Sequence, residues 1–424
     1  MTAPDPFADA RSQWSLPREL LERGQLERLN RLLETAVAAG GLYRDKLQRD
    51  KLGGAAPRLA TVAEISSLPL TTKEDIVAAA AAGATKTQSG VAKTQAGATE
   101  KSAWPPGPAA AYVRYHQTSG TRGEPLAVPD TAAGWAWWID TWKHTLAAAG
   151  ARPGDAAALA FSFGPFVGFW SAFDACVASG VRAIPAGGMS SAARAELVRR
   201  TGATLLFGTP SYALRLAEAA HEAGIDPAAT AVRTVIVAGE PGGSVPATRE
   251  RIAAAWGARV VDHAGATEVG PWGFGDDAWS GPAGEPPGLR VVESEFVAEF
   301  LALDSDRPAT PGGLARLVLT NLGRVDTPVI RYETGDLVRP EWPSDSPSEP
   351  RGGSQAESDG SLPPCHFVRL AGGVIGRADD MVIVRGVNVF PSSLEGVLAR
   401  LPQVAEWRAI ATRRGEMDEL RVEV

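Results

Sequence analysis

Cysteine is almost missing from this chain: Cys176 and Cys365 are the only two among 424 residues. Two thiols build neither a disulfide framework nor a cysteine-only zinc site, and they fit a reducing, cytoplasmic compartment. The opening residues, MTAPDPFADARSQWS, lack the basic start and apolar run of a secretory signal. No stretch approaches the roughly 18 apolar residues of a membrane span. An excess of basic charge is also lacking. The 42 Lys and Arg against 49 Asp and Glu leave a net charge of −7, which argues against a nucleic-acid binder. Glycine (46) and proline (32) together stay below the roughly 25–30% of low-complexity chains. What is present is a 44% hydrophobic fraction, ample for a core, and twelve Trp against five Tyr. At roughly 100–200 residues per domain, the length predicts two or three domains.

From Pro17 to Gly40, leucines 20, 21, 26, 29, 32 and 33 with Val37 form an approximate helical stripe. Ala78 to Lys101 is a run of Ala, Thr, Gln, Gly and Lys without apolar period, expected to be a mobile surface insertion. From Ala156 a regular pattern sets in. AAALAFSF, VRAIP, ATLLFG, VRTVIVAG and ARVVDHAG read as strands, with helices beginning near Gly168, Ser190, Pro210 and Pro246. That alternation predicts an α/β fold with a mostly parallel sheet covered on both faces, and ligands beyond the strands' carboxyl ends. Closely spaced strands follow from about Leu289 to Arg339, then a second expected insertion from Glu341 to Pro364. Ser392 and Glu395 form a capping box ahead of the helical spacing Leu394, Val397, Leu398, Leu401. The last residues, DELRVEV, alternate like a strand.

The loop Thr118-Ser-Gly-Thr-Arg-Gly-Glu-Pro125 follows the β-prone AYVRYHQ and carries hydroxyls and glycines suited to cradling phosphate. It is not a Walker loop, because no Gly-Lys-Ser/Thr follows. Alone, such a loop is more often an ordinary turn. Four further motifs change that weighting: Gly239-Glu-Pro241, Gly265-Ala-Thr-Glu268, Tyr332-Glu-Thr-Gly-Asp336 and Gly376-Arg-Ala-Asp-Asp380. In this order, from about Tyr112 to the end, they resemble the adenylate-forming superfamily. The runs GRADDMVIVRGVNVFPSSLE and TNLGRVDTPVIRYETGD look most like phenylacetate–CoA ligases and related aryl-CoA ligases.

The resemblance implies a large N-terminal domain, residues 1–375, with parallel sheets covered by helices plus a β-rich subdomain. A small α+β C-terminal domain, residues 376–424, would follow and reads as truncated, because the family's adenylation lysine lies beyond this stretch. It also implies roles. Thr118, Ser119, Gly120, Thr121 and Gly123 would hold the ATP phosphates, and Gly239, Glu240 and Pro241 would line the adenine pocket. Thr267 would bind the α-phosphate, Glu268 would hold Mg²⁺, and Asp336 would accept the ribose hydroxyls. Arg377 would contact nucleotide near the hinge, with Asp379 the hinge itself, and Gly386 to Pro391 would flank the thioester-forming tunnel. Coenzyme A is the implied acyl acceptor. The chemistry has a physical logic: charge gathers at one phosphorus as a carboxylate attacks it, which calls for cations and N–H donors. Phe163, Phe166 and Val167, in FSFGPFVGFW, are the candidates for an aryl-acid pocket; Trp135, Trp137, Trp138 and Trp142 are read as core.

Departures from the pattern carry their own expectations. Arg122 stands where Thr is usual and Glu124 where Lys is common. Ala264 replaces an aromatic, so nucleotide stacking is weaker unless His263 compensates. Relatives carry a zinc-binding set of cysteines and a histidine where Gly275 and Arg290 stand here, and only Cys365 remains, so no structural zinc is expected. Two functions stay open: an ATP- and Mg²⁺-dependent aryl-acid–CoA ligase, or a weakened module that binds nucleotide or acyl-adenylate. A carrier protein or amine as acceptor, and a homodimer, also stay open.

Overall fold

The computed structural model describes residues 4–49, 56–88, 104–106, 108–118, 125–276, 286–343 and 362–378, and short stretches between 382 and 424. Four helices come first: α1 (Ala8–Trp14), α2 (Arg18–Ala39), α3 (Leu42–Arg49) and α4 (Lys73–Gln88). Strands β1 (Tyr112–Gln117) and β2 (Ala127–Thr131) form an antiparallel ribbon, followed by α5 (Ala132–Ala148). The alternating region then runs β3 (Ala156–Leu159), α6 (Val167–Ala178), β4 (Arg182–Pro185), α7 (Ser191–Thr201), β5 (Leu205–Gly208), α8 (Pro210–Glu222), β6 (Thr234–Ala238), α9 (Pro246–Trp256) and β7 (Arg259–Ala266). After it come β8 (Gly270–Gly275), β9 (Gly288–Val291), β10 (Phe296–Leu301), β11 (Ala315–Asn321), β12 (Tyr332–Glu341) and β13 (Arg369–Arg377). Two hairpins close the described chain: β14 (Val382–Val384) with β15 (Val387–Val389), and β16 (Arg408–Arg414) with β17 (Met417–Glu423).

Eleven strands make one sheet, ordered β10-β11-β12-β13-β9-β8-β7-β6-β5-β3-β4. Neighbours from β4 to β7 are parallel, and every pairing from β7–β8 onward is antiparallel. The alternating region is therefore parallel throughout, as expected, and the β-rich stretch continues it with antiparallel strands, so that the whole sheet is mixed. Strands β3, β5 and β6, unlike the partly exposed edge strand β4, are buried on both faces, which explains their unbroken apolar runs. Their side chains alternate between two cores. Ala158, Leu206, Val235, Val237 and Val260 pack with Val198, Leu216, Ile252 and Trp256 of α7, α8 and α9. Ala157, Leu159, Leu205, Phe207, Ile236 and Val261 join the other core, with Trp142 and Leu146 of α5 and Ala172 and Ala175 of α6. Trp135, Trp137, Trp138 and Trp142 are all buried there, as read from the sequence.

Helix starts follow the sequence closely. Thr209 Oγ1 accepts the Tyr212 N–H at 3.3 Å ahead of Pro210, and Ser190 Oγ accepts the Ala193 N–H at 3.3 Å. The N-terminal helices dock far along the chain. Arg18 forms a two-bonded ion pair with Glu293 at 2.7 and 3.0 Å, and the His366 N–H donates to Trp14 O at 2.7 Å.

Three expectations change. The segment from Ala78 is not an insertion as far as Gln88, because α4 runs through it with Ile76 and Ala79 buried. Alanine is the best helix former, so a run that looks low in complexity is locally helical; residues 89–101 lie outside the described ones. The run TPVIRYETGD, expected to be a strand throughout, is one only from Tyr332, where β12 begins and continues through Glu341, with Arg331 just before it at φ 48°. Gly376 and Arg377, expected to open the small domain, still pair with Leu337 and Asp336 in the large sheet. The capping box at Ser392 and Glu395, and residues 344–361, lie outside the described residues. Leu216→Ala, which empties a fully buried site between α8 and the sheet, should lower stability by about 2–5 kcal/mol. A urea-unfolding midpoint equal to that of the unsubstituted protein would contradict this packing.

Candidate active site

The carboxyl ends of β6 and β7 lead into two of the motifs. Gly239-Glu-Pro241 leaves β6 as an exposed turn, and the Glu240 carboxylate accepts the Ser211 N–H at 2.6 Å in the first turn of α8. An anion there complements the helix dipole. Behind this turn Ser244 Oγ donates to Asp262 Oδ2 at 2.5 Å.

Strand β7 ends in the turn Thr267–Val269. Glu268 is buried, and its Oε1 accepts the Tyr332 hydroxyl at 2.7 Å. Burial, reinforced by the Glu268 charge, pushes the Tyr332 phenol well above its ordinary range, so it stays a donor. Four residues on, Asp336 sits opposite Arg377 across β12 and β13, with Nη1 donating to Oδ1 at 3.2 Å. Gly335, at φ 79°, leaves room for that guanidinium, which a Cβ would meet at 2.6 Å. Burial raises Asp336 to about 6; Arg377 and the Thr334 hydrogen bond oppose the rise, and the Glu268 charge adds to it. Glu268 and Asp336 are thus near enough to feel each other's charge, the one bonded to Tyr332 and the other to Arg377. Such a donor pair suits a small hard cation that takes one or two carboxylates and completes its shell with phosphate and water.

Thr118 is buried at the end of β1. Its N–H and Oγ1 pair with Leu126 O and N–H, both at 3.0 Å, closing the neck of the loop. Ser119, Gly120, Thr121 and Gly123, with Arg122 and Glu124, lie outside the described residues, as does Asp379. The Gln117 N–H donates to Pro165 O at 2.8 Å, so the β3 exit lies beside that neck. There the three acid-pocket candidates have different surroundings. Phe163 is half-buried, with edge contacts to Trp170 and Phe173 at 5.0 and 6.0 Å; Phe166 is exposed; Val167 is in the core.

His263, expected to compensate for the missing aromatic, turns into the α5 core. Its Nδ1 lies 3.1 Å from Thr145 Oγ1 and its ring centroid 4.0 Å from that of Trp142. Burial pushes it down to about 3, so the ring is a neutral packing element. Ala264 is half-buried and Gly265 exposed beyond it. The places discussed for zinc do come together: Arg290 of β9, paired across to Phe274 beside Gly275, donates to Cys365 O at 3.0 Å and Phe367 O at 2.8 Å. A guanidinium beside a thiol that burial raises to about 11 is a donor set unsuited to zinc. Among the described residues, no group of three or more His, Cys, Asp or Glu could hold a metal ion.

One residue at the site was missed in the sequence. Arg324 is fully buried, and its Nη1 donates to Thr267 O at 3.0 Å and Glu268 O at 2.9 Å. Its Nε donates to Asp130 Oδ1 at 2.6 Å. Burial pushes the Asp130 carboxyl up, but the Arg324 charge and hydrogen bond, with His116 Nδ1 3.8 Å from Oδ2, hold it below its ordinary value.

With this geometry in place, comparison with known proteins is decisive. Residues 25–295 match the family model described as AMP-binding enzyme, and residues 386–424 match the AMP-binding enzyme C-terminal domain. The chain belongs to the AMP-binding enzyme family. It is 28% identical over 417 residues to a phenylacetate–coenzyme A ligase of Thermus thermophilus, covering 97% of this chain and 83% of that one. A phenylacetate–coenzyme A ligase of Escherichia coli is 30% identical over 315 residues, covering 74% and 66%. Among solved structures, 2-hydroxyisobutyryl-CoA ligase in its postadenylation state superposes with a TM-score of 0.82 at 25% identity, over 99% of this chain and 82% of that one. Among the described residues, no helix of this family member is long and apolar enough to cross a membrane.

The raised Asp336 has a stability consequence. The native state holds this proton up to about 6, against 3.8 for the ordinary carboxyl, so charging Asp336 costs stability as pH rises through that window. Asp336→Asn removes the cost. The variant should gain about 1–3 kcal/mol relative to the unsubstituted protein between pH 4 and pH 7, measured by denaturant unfolding. A pH-independent difference would show that Asp336 ionises normally.

Proposed function

We propose that the protein converts a small aryl carboxylic acid to its CoA thioester through an acyl-adenylate, consuming ATP and releasing pyrophosphate and AMP. The observation carrying this reading is the pair Glu268 and Asp336, bonded to Tyr332 and Arg377 of adjacent strands, in a chain of this family. Names of the relatives support the acid and the acceptor, since each is a phenylacetate–coenzyme A ligase.

In the first half-reaction a carboxylate oxygen of the acid bonds to the α-phosphorus as the bond to the pyrophosphate oxygen breaks. In the second, the CoA sulfur attacks the activated carbonyl and AMP leaves. The loop of Ser119, Gly120, Thr121 and Gly123, held at its neck by Thr118, is assigned to the phosphates. Gly239, Glu240 and Pro241, with Ala264 and Gly265, are assigned to the base, and Asp336 to the ribose hydroxyls. Thr267 meets the α-phosphate and Arg377 the nucleotide; Asp379 is the hinge. Magnesium, when bound, would neutralise phosphate charge, and Glu268 is the oxygen ligand this chain offers it. Phe163 is the ring assigned to the acid, together with the buried Val167 and the exposed Phe166.

The test is pyrophosphate release with ATP and magnesium across phenylacetate, benzoate and 2-hydroxyisobutyrate, with and without CoA. CoA-stimulated release with the aryl acids is expected, and release with the aliphatic acid alone would overturn the aryl assignment. Phe163→Ala should change the ratio of kcat/KM between acids by roughly tenfold. AMP affinity should weaken as pH falls through about 6, where Asp336 becomes protonated, and Arg377→Ala should move that inflection up by about one pH unit. Calorimetric titration from pH 5 to pH 8 reads both, and a flat profile removes Asp336 from the nucleotide site.

A further inference from the structure

We infer that Arg324, held by Asp130, is a positioning residue that fixes the Thr267–Glu268 turn against the neck of the Thr118 loop. The inference rests on the proposed function, since it concerns the same site.

Three successive carbonyls of this turn are captured from one side. Arg324 takes those of Thr267 and Glu268, and Asn321 Nδ2 donates to Val269 O at 3.1 Å. In a planar trans peptide the N–H points opposite the C=O. Fixing the Thr267 carbonyl on Arg324 therefore aims the Glu268 N–H away from it and sets the direction in which both side chains leave the turn. The same guanidinium is bound through Nε to Asp130 of β2, and its Cζ lies 5.5 Å from the Trp138 ring centroid of α5. Two more bonds strap the connection after β11 along β2: Thr131 Oγ1 to Asp326 Oδ2 at 2.8 Å, and Thr327 Oγ1 to Pro129 O at 3.1 Å. Strand β2 begins one residue after Leu126, the partner of Thr118. One buried ion pair thus sets the spacing between Thr118, at the neck of the loop assigned to the phosphates, and the residues assigned to the α-phosphate and magnesium. Neither Arg324 nor Asp130 is accessible enough to touch substrate, with side-chain exposures of 1% and 0%.

Positioning predicts a split between half-reactions. Lysine at 324 keeps the charge but lacks the planar fork that serves a carboxylate and two carbonyls together. Arg324→Lys should lower kcat for acid-dependent ATP–pyrophosphate exchange by about 10²-fold, the scale of one misplaced contact in the reacting geometry. The KM for ATP and thioester formation from supplied acyl-adenylate should change less than about threefold, on the expectation that this turn serves the first half-reaction. A second readout needs no turnover. Calorimetry with a non-hydrolysable ATP analogue should show the affinity gained on adding magnesium reduced about tenfold in Arg324→Lys, with metal-free affinity kept. Asp130→Asn should shift both readouts the same way but less, and it carries the test if the lysine variant fails to fold. Equal losses in both half-reactions, an unchanged magnesium increment, or loss of cooperative melting in both variants would overturn the inference. An unsubstituted protein that shows the magnesium increment but no acid-dependent exchange would sink the proposed function and leave the positioning role standing.

Discussion

The buried ion pair between Arg324 and Asp130 is the constraint on which the centre of this molecule depends. Two charges removed from water are tolerated only when their remaining hydrogen-bonding capacity is used. Here that need is met in part, by backbone carbonyls of the turn after β7, while Arg324 Nη2 and Asp130 Oδ2 are buried without a hydrogen-bond partner among the described residues. Breaking such a pair by removing one partner costs about 3–5 kcal/mol, a large fraction of the roughly 5–15 kcal/mol that holds a typical domain together. The ribbon β1–β2, helix α5 and the β7–β8 turn are therefore not separately adjustable. They share one electrostatic solution.

The mixed sheet supplies the second constraint. Its parallel half collects loops at one set of strand ends, which is where an α/β sheet offers a crevice. Its antiparallel half brings β12 and β13 back toward that crevice, so Tyr332, Asp336 and Arg377 meet a glutamate from β7's exit. A wholly parallel sheet would have needed a helical crossover before each of these strands. Antiparallel return instead delivers a hydroxyl, a carboxylate and a guanidinium within two adjacent strands.

Much of this was legible in the sequence, for identifiable reasons. Strands β3, β5 and β6 are buried on both faces and so appear as unbroken apolar runs. Helices α8 and α9 are announced by prolines at their first turns. Glu268, Asp336 and Arg377 were singled out because motifs in a fixed order constrain one another. Helix α4 was missed because alanine-rich composition resembles low complexity when no apolar period marks a buried face. His263 was considered as a replacement for the aromatic missing at Ala264, although strand parity puts it on the same face as Val261, toward α5. Arg324 had no local signal at all. Its partner lies 194 residues earlier, and only the folded chain brings them together.

The docking of the first helices onto the far half of the sheet sets a schedule for biogenesis. Arg18 and Glu293 are separated by 275 residues of chain. At roughly 5–20 residues per second, about 14 to 55 s pass between the synthesis of the arginine and that of its glutamate. Throughout that interval Arg18, Gln25 and Arg28 of α2 lack their partners at residues 293–296. The nascent chain thus carries an undocked amphipathic helix for longer than most elementary folding steps require, and its solubility rests on the polar face of α2 and on whatever shields it at the ribosome.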